Sequence, residues 1–329
     1  MAARKLTIIT TCTNQKRGPT EPDRCLRCQN GMDPKFAVKR WVESLGGSEA
    51  TAPASDVYLG SHWRESLNCV ASAREKFDSP ELLVLSAGYG LIDDRTPIAN
   101  YAASFAAGPD SMLNLKWPRE NSVRENQAEW WRLLNNAWGR TNLAERFGGC
   151  GGEEVIVLIL SREYFGAVER EVAELIAAGK RIYIVSAGVF ANLSAISPVV
   201  RARVLPFNDR FKAVDPYLDK TNVSLNARLA NWLITAHADA LAEGNGKVFE
   251  VMKRIGEGLP DPVRKPVAPM TDEEVMHYIQ AHFSTFGTSA SALLRHLRDS
   301  KGLSCEQKRF GALFRRFVES NQGRLFDPK

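Results

Sequence analysis

The sequence contains no apolar run approaching bilayer-spanning length, which argues against a transmembrane segment and a membrane partner. Its first residues, Met1-Ala2-Ala3-Arg4-Lys5-Leu6-Thr7-Ile8-Ile9-Thr10, lead directly into a β-branched stretch and lack the apolar core of a signal peptide. The six cysteines (Cys12, Cys25, Cys28, Cys69, Cys150 and Cys305) are scattered over 329 residues, unlike the framework of a secreted disulfide scaffold. A reduced, cytoplasmic setting is expected. There is no P-loop, no G-x-G-x-x-G, no H-E-x-x-H and no G-x-S-x-G. Those absences argue against an NTPase, a nicotinamide enzyme, a zincin and an ordinary esterase. No internal repeat is present.

A hydrophobic share of 44% and a charged share of 25% fit a globular chain long enough for one large domain or two. The formal net charge of +5 permits a polyanionic partner such as nucleic acid without requiring one.

Along the chain, Lys5 to Thr11 reads as a first strand ending in a polar, basic loop, Cys12-Thr13-Asn14-Gln15-Lys16-Arg17-Gly18. Residues 19–34 read as an irregular excursion, and Phe36–Leu45 and His62–Phe77 as helices. The run Leu82-Leu83-Val84-Leu85-Ser86-Ala87-Gly88-Tyr89-Gly90-Leu91-Ile92-Asp93-Asp94 has the near-continuous apolar character of a buried parallel strand. It ends on two glycines and two carboxylates. Residues 95–120 are a long connection, and Val123–Trp138 a tryptophan-bearing helix. Residues 148–152 read as a joint, Glu154–Leu160 and Arg181–Val185 as strands, and Tyr164–Ala178 as the helix between them. A long helix over Asn222–Ala242 and a short one over Lys247–Ile255 follow. Alternating strands and helices predict an α/β fold with a mainly parallel central sheet and helices on both faces. That domain is expected over residues 1–255. A proline-rich linker is expected over 256–270, and a small helical domain over 271–329. Thr271 and Glu274 form a capping-box pattern at its start. Its second and third helices carry Arg295, Arg298, Lys308 and Arg309. They suit either a helix-turn-helix module gripping duplex backbone or a helical cap with solvated charges.

Open α/β sheets bind ligands beyond the carboxyl ends of their strands. Three stretches fall there: the loop after the first strand, the Ser86–Asp94 exit and a second Ser-Ala-Gly at Ser186-Ala187-Gly188. In the first, Asn14 and Gln15 have the groups to read an amide or base edge, and Lys16 and Arg17 to hold phosphate. Cys12 is either a nucleophile or a buried inert thiol. Cys25-Leu26-Arg27-Cys28 is a lone C-x-x-C, and no metal site is expected from it. Asp56, Tyr58, His62 and Trp63 cluster at a helix start, where a carboxylate and aromatic rings suit either capping or base chemistry.

The order of these motifs resembles a family. Thr11-Cys12-Thr13-Asn14-Gln15-Lys16-Arg17, then Asp56-Val57-Tyr58-Leu59-Gly60-Ser61-His62-Trp63, then Leu85-Ser86-Ala87-Gly88-Tyr89-Gly90-Leu91-Ile92, then Pro97-Ile98-Ala99-Asn100-Tyr101 is similar to a broad bacterial group. That group is related to the peroxide-stress DNA-binding proteins and to the middle domain of archaeosine synthase. The resemblance covers residues 5–105 by motif, and 150–200 by strand and helix order. It implies a uracil-DNA-glycosylase-like sheet topology. It also implies a setting beside 7-deazaguanine modification of nucleic acid or in anti-phage defence, where related proteins excise modified bases. The glycosylase loops Gly-Gln-Asp-Pro-Tyr-His and His-Pro-Ser-Pro are replaced here by Thr13-Asn14-Gln15-Lys16 and Ser186-Ala187-Gly188-Val189.

The expectation is a DNA glycosylase that flips a modified base and hydrolyses its N-glycosidic bond without a cofactor. The chemistry needs a carboxylate for the oxocarbenium-like state, for which Asp94 and Asp56 are the candidates. Asn14, Ser86 and Gln15 would hold the base, Tyr89 or Tyr101 would stack on it, and Lys16 and Arg17 would bind phosphate. The alternatives are 7-deazaguanine modification with Cys12 as nucleophile and Lys16 as its partner, and a non-enzymatic DNA-binding stress protein.

Overall fold

The computed structural model describes residues 5–48, 51–149, 154–220, 222–261, 268–286, 289–301 and 303–325. The chain divides into two units, Met1–Asp261 and Pro262–Lys329.

In the first unit five strands make the main sheet: β1 (Lys5–Thr11), β2 (Asp78–Ser86), β3 (Gly90–Asp93), β4 (Val155–Ile159) and β5 (Arg181–Val185). Their order is β3-β2-β1-β4-β5. β1, β2, β4 and β5 are parallel, and β3 lies antiparallel at one edge. Every residue of β4 is buried. Successive side chains of a strand point to opposite faces, so both faces of the sheet are covered. The covering helices are α1 (Pro34–Gly46), α2 (Ser61–Ala73), α3 (Val123–Ala137), α4 (Leu143–Gly148), α5 (Arg162–Ala177), α6 (Leu225–Glu243) and α7 (Asn245–Glu257). α2 and α6 pack on each other, and α3 packs against α5.

Local chemistry sets several boundaries. Asp33 accepts the Lys35 N–H at 2.9 Å ahead of Pro34, and so starts α1. Ser122 with Glu125, and Asn142 with Glu145, form reciprocal capping boxes for α3 and α4. α6 is kinked at His237, where φ is −135° and ψ 28°.

The segment expected as one buried strand over Leu82–Asp94 is instead a hairpin. Gly90, at φ +73°, turns the chain back, and β3 pairs with β2 from Ser86–Gly90 to Leu83–Asp93. Asp93 therefore stands three residues back from the carboxyl end of β2, about 10 Å at strand rise. Asp94 does not sit at the strand exit, because the antiparallel return carries it away from that edge. The long connection after it pairs Pro97–Ile98 with Ala52–Pro53. Of the joint expected over residues 148–152, Gly148 closes α4, and residues 150–153 lie outside the described set. α7 extends to Glu257, into the expected linker, of which residues 262–267 lie outside the described set.

The second unit has three helices, α8 (Asp272–Phe286), α9 (Ala290–Lys301) and α10 (Gln307–Leu325). A short parallel pairing joins Ala268–Pro269 to Leu303–Ser304. Thr271 and Glu274 cap α8 reciprocally, with Glu274 accepting the Thr271 N–H at 2.7 Å and Thr271 the Glu274 N–H at 3.2 Å. Val275, Ile279, Leu293, Leu297, Phe310 and Phe314 form a separate core. No helix among the described residues is long and apolar enough to cross a membrane.

Candidate functional site at the topological switch point

From β1 the chain crosses to β2 on one side, then returns to β4 on the other side of β1. The strand order therefore reverses between β1 and β4, and the crevice beyond their carboxyl ends is where open α/β sheets bind ligands. Cys12 follows β1 and Tyr164 lies in the first turn of α5, after β4. Across the reversal the Cys12 Sγ and Tyr164 Oη are 3.0 Å apart. The Ala87 N–H points at the same sulfur at 3.5 Å. Ser161 at the end of β4 caps α5 by accepting the Tyr164 N–H, which fixes that tyrosine's place.

The loop after β1 is held by backbone pairing with residues 57–59. Arg17 N–H donates to Val57 O, and Leu59 N–H to Gln15 O, each at 2.9 Å. This brings Tyr58 under the loop. Its hydroxyl donates to Ser86 Oγ at 3.2 Å and lies 2.9 Å from Tyr101 Oη, which is 2.8 Å from Ser86 Oγ. The three hydroxyls close a ring in which Ser86 can donate to Tyr101 and Tyr101 to Tyr58. Ser86 Oγ also accepts the N–H of Gly88 at 3.3 Å and of Tyr89 at 3.0 Å, so it shapes the hairpin turn as well. Gly88 is required here: a Cβ on it would lie 2.6 Å from the Tyr101 ring.

Lys16 lies over this floor. Its Nζ is 4.0 Å from the Tyr101 ring centroid and donates to Thr13 O at 2.9 Å. Burial lowers the pKa of its ammonium, while Cys12 and Asp110 act in the opposite sense. Burial also holds the phenols of Tyr58, Tyr101 and Tyr164 well above their ordinary range, with Cys12 adding to each. Tyr89 stacks on Trp138 at 5.0 Å and meets Tyr101 edge-on at 5.4 Å, and its hydroxyl accepts the Ala99 N–H at 2.9 Å. A half-buried amine, a thiol and several phenols thus converge at one crevice, and burial perturbs the amine and the phenols where chemistry is expected.

Of the residues singled out in the sequence, Cys12, Lys16, Tyr58, Ser86, Tyr89 and Tyr101 come together here. Asn14, Gln15 and Arg17 are exposed on the loop above. Asp56 is exposed on the single turn Ala54–Val57. Asp94 is half-buried elsewhere, lining a cavity against β3, and burial raises its carboxyl pKa. His62 belongs to the scaffold: its Nε2 lies 3.0 Å from Thr10 Oγ1 and 3.2 Å from Thr11 Oγ1, and burial pushes its pKa down to about 4. Cys25 and Cys28 are free thiols facing the carbonyls of Glu21 and Pro22. No group of three or more His, Cys, Asp or Glu able to hold a metal is present among the described residues. At the last exit Ser186 caps the turn Ala187–Phe190 through the Val189 N–H.

In the second unit, Arg298 donates to Cys305 O at 2.9 Å, and Arg309 donates to Asp272 at 2.6 Å. Arg295 is exposed, and the side chain of Lys308 lies outside the described set. Tyr164 was not singled out from sequence. Its signal was a serine cap after the third apolar run with a tyrosine at the third helical position.

No protein-family model, curated protein or solved structure matches this chain.

Proposed function

We propose that the switch-point cluster is the active site of an enzyme that cleaves the N-glycosidic bond of a modified base in DNA, with Lys16 as nucleophile. The observation that carries the reading is the position of the Lys16 amine, half-buried over the Tyr58–Ser86–Tyr101 ring at the strand reversal. Asp94 lines a different cavity and Asp56 is exposed on its turn, so the amine takes the part first given to either carboxylate.

The uncharged fraction of Lys16 attacks C1′ of a flipped nucleotide. The C1′–N bond breaks, its electron pair leaves with the base, and the proton lost by the amine ends on the base. Opening of the sugar at C1′–O4′ then forms an imine between C1′ and Lys16, with O4′ protonated. Water adds to the imine, restores the amine and leaves an abasic aldehyde. Tyr89 and Tyr101 supply aromatic surface for the base. Ser86 fixes the floor beneath it, Asn14 and Gln15 meet base edges from the loop, and Arg17 meets phosphate. The second unit adds Arg295 to the phosphate contacts, while Arg298 and Arg309 are tied within it.

The resemblance in residues 5–105 puts hypermodified phage DNA first among substrates. Incubation with such DNA should release free base detectable by nucleoside mass spectrometry and leave alkali-labile strands. Unchanged strands across modified and plain DNA would reject the reading. Salt-dependent binding with no base change would point to a DNA-binding stress protein instead.

A second reading rests on the Cys12–Tyr164 contact across the reversal. A thiol held there is placed to add to an electrophilic carbon, such as the nitrile of a 7-deazaguanine, in DNA or tRNA. Cys12→Ala separates the two: it abolishes this chemistry and spares glycosidic cleavage.

A further inference from the structure

Away from the strand reversal, a cavity of about 680 Å³ opens against the β2–β3 edge, between the end of α2 and the chain from Arg140 to Arg146. That volume falls within the roughly 300–1,000 Å³ of small-molecule sites. Its charged lining is Arg74, Arg95, Arg140, Arg146, Glu81, Asp93 and Asp94, over apolar wall from Phe77 and Leu91. Four guanidiniums and no lysine surround one space. Arginine's planar fork matches phosphate oxygens two at a time.

The four arginines are not equally engaged. Arg146 donates to Glu81 at 3.1 Å. Arg74 and Arg95 are exposed at the rim. Arg140 is half-buried, 5.8 Å over the Trp138 ring, and its Nε is buried with no hydrogen-bond partner. A ligand's oxygens would meet this guanidinium through its terminal nitrogens rather than through the buried Nε. Asp93 is occupied locally, accepting the Arg95 N–H at 2.9 Å and the Thr96 hydroxyl at 3.1 Å. Asp94 is half-buried beside it, a carboxyl group suited to accept hydroxyl donors from a ligand.

We infer that this cavity binds a nucleotide, its phosphate held by Arg140, Arg74 and Arg95 and its sugar hydroxyls by Asp94. The site is separate from the switch-point crevice, and Tyr89, stacked on Trp138 and edge-on to Tyr101, lies between the two groups of residues. The same chemistry is offered by a free nucleotide and by the end of a nucleic-acid strand.

Isothermal titration of the full chain with AMP, and separately with a short single-stranded DNA, distinguishes the two sources. Binding of AMP identifies a free-nucleotide site, and binding of the DNA alone that is weakened by Arg74→Ala with Arg95→Ala identifies a strand-end site. In either case Arg74→Ala with Arg95→Ala should weaken Kd by about tenfold or more. These residues are exposed, so the variant should keep the wild-type melting temperature, and its loss of binding is then not a folding defect. Asp94→Asn should weaken AMP while leaving inorganic phosphate unchanged. Lys16→Ala should leave AMP binding intact, which keeps this site distinct from the glycosidic one. Failure of both probes to bind, or equal binding by wild type and the Arg74/Arg95 variant, overturns the inference.

Discussion

Replacing Gly88 by alanine tests how tightly the crevice floor is built, because the change presses directly on the Tyr101 ring. The new Cβ would meet Cδ2 and Cε2 of Tyr101 at 2.6 Å. Ordinary carbon contacts are about 3.5–4.0 Å, so the ring must retreat by about 1 Å. It has little room. Tyr101 is 1% exposed and is met edge-on by Trp41, Tyr58 and Tyr89. The backbone is held as well, because the Gly88 carbonyl accepts Trp41 Nε1–H at 3.0 Å and Trp138 Nε1–H at 3.1 Å. Overpacking of this kind costs about 1–3 kcal/mol. Loss of the two Tyr101 hydroxyl contacts adds about 1 kcal/mol each. The sum, about 3–5 kcal/mol, corresponds to a fall in melting temperature of roughly 10 °C by calorimetry. Tyr101→Leu in the same chain should recover part of the loss, because the two changes share one contact and are not additive. A Gly88→Ala melting temperature within about 2 °C of wild type would refute the packing described here.

Two half-buried groups give the unit opposing pH dependences. Burial raises the Glu171 carboxyl from 4.5 to about 7, although it accepts N–H donors from Trp131 and Leu143. A raised carboxyl contributes stability that is fully present below pH 4.5 and lost as pH rises through about 7. His62, depressed from 6.5 to about 4, contributes stability present above pH 6.5 and lost as pH falls through about 4. The two slopes offset each other where the windows overlap, each reaching roughly 3 kcal/mol at full extent. Urea titrations should find Glu171→Gln losing stability on acidification below pH 6.5 more steeply than wild type, and His62→Gln gaining it; parallel curves would contradict both assignments. In the second unit, Arg295→Ala should lower the salt slope of DNA binding by about one, measured by fluorescence anisotropy. Arg309→Ala removes an exposed pair with Asp272 and should leave the melting temperature unchanged within error by calorimetry.

The four parallel strands were legible because each is an apolar run closed by small residues. β3 was hidden because Gly90-Leu91-Ile92-Asp93 continues the apolar run of β2, so alternation gave no boundary. The short, glycine-containing turn from Ser86 to Gly90 was the available hairpin signal. Missing it put Asp94 at the wrong edge. Lys16 read as a phosphate ligand because its neighbours are polar. Its half-burial comes from Tyr58 and Tyr101, which only the pairing of the loop with residues 57–59 brings beneath it. Tyr164 is 152 residues from Cys12, and their contact depends on the strand order. The arginine cavity gathers residues from three separated segments, 70–83, 91–96 and 140–146, so no local pattern announced it.

Borohydride trapping on DNA carrying the modified base tests the central claim most directly. If Lys16 attacks C1′, reduction of the imine links protein to DNA covalently, and peptide mass spectrometry finds the adduct on Lys16. The account predicts that this adduct persists in Cys12→Ala and vanishes in Lys16→Ala. Base release that continues in Lys16→Ala, with no adduct trapped in the wild type, would contradict it.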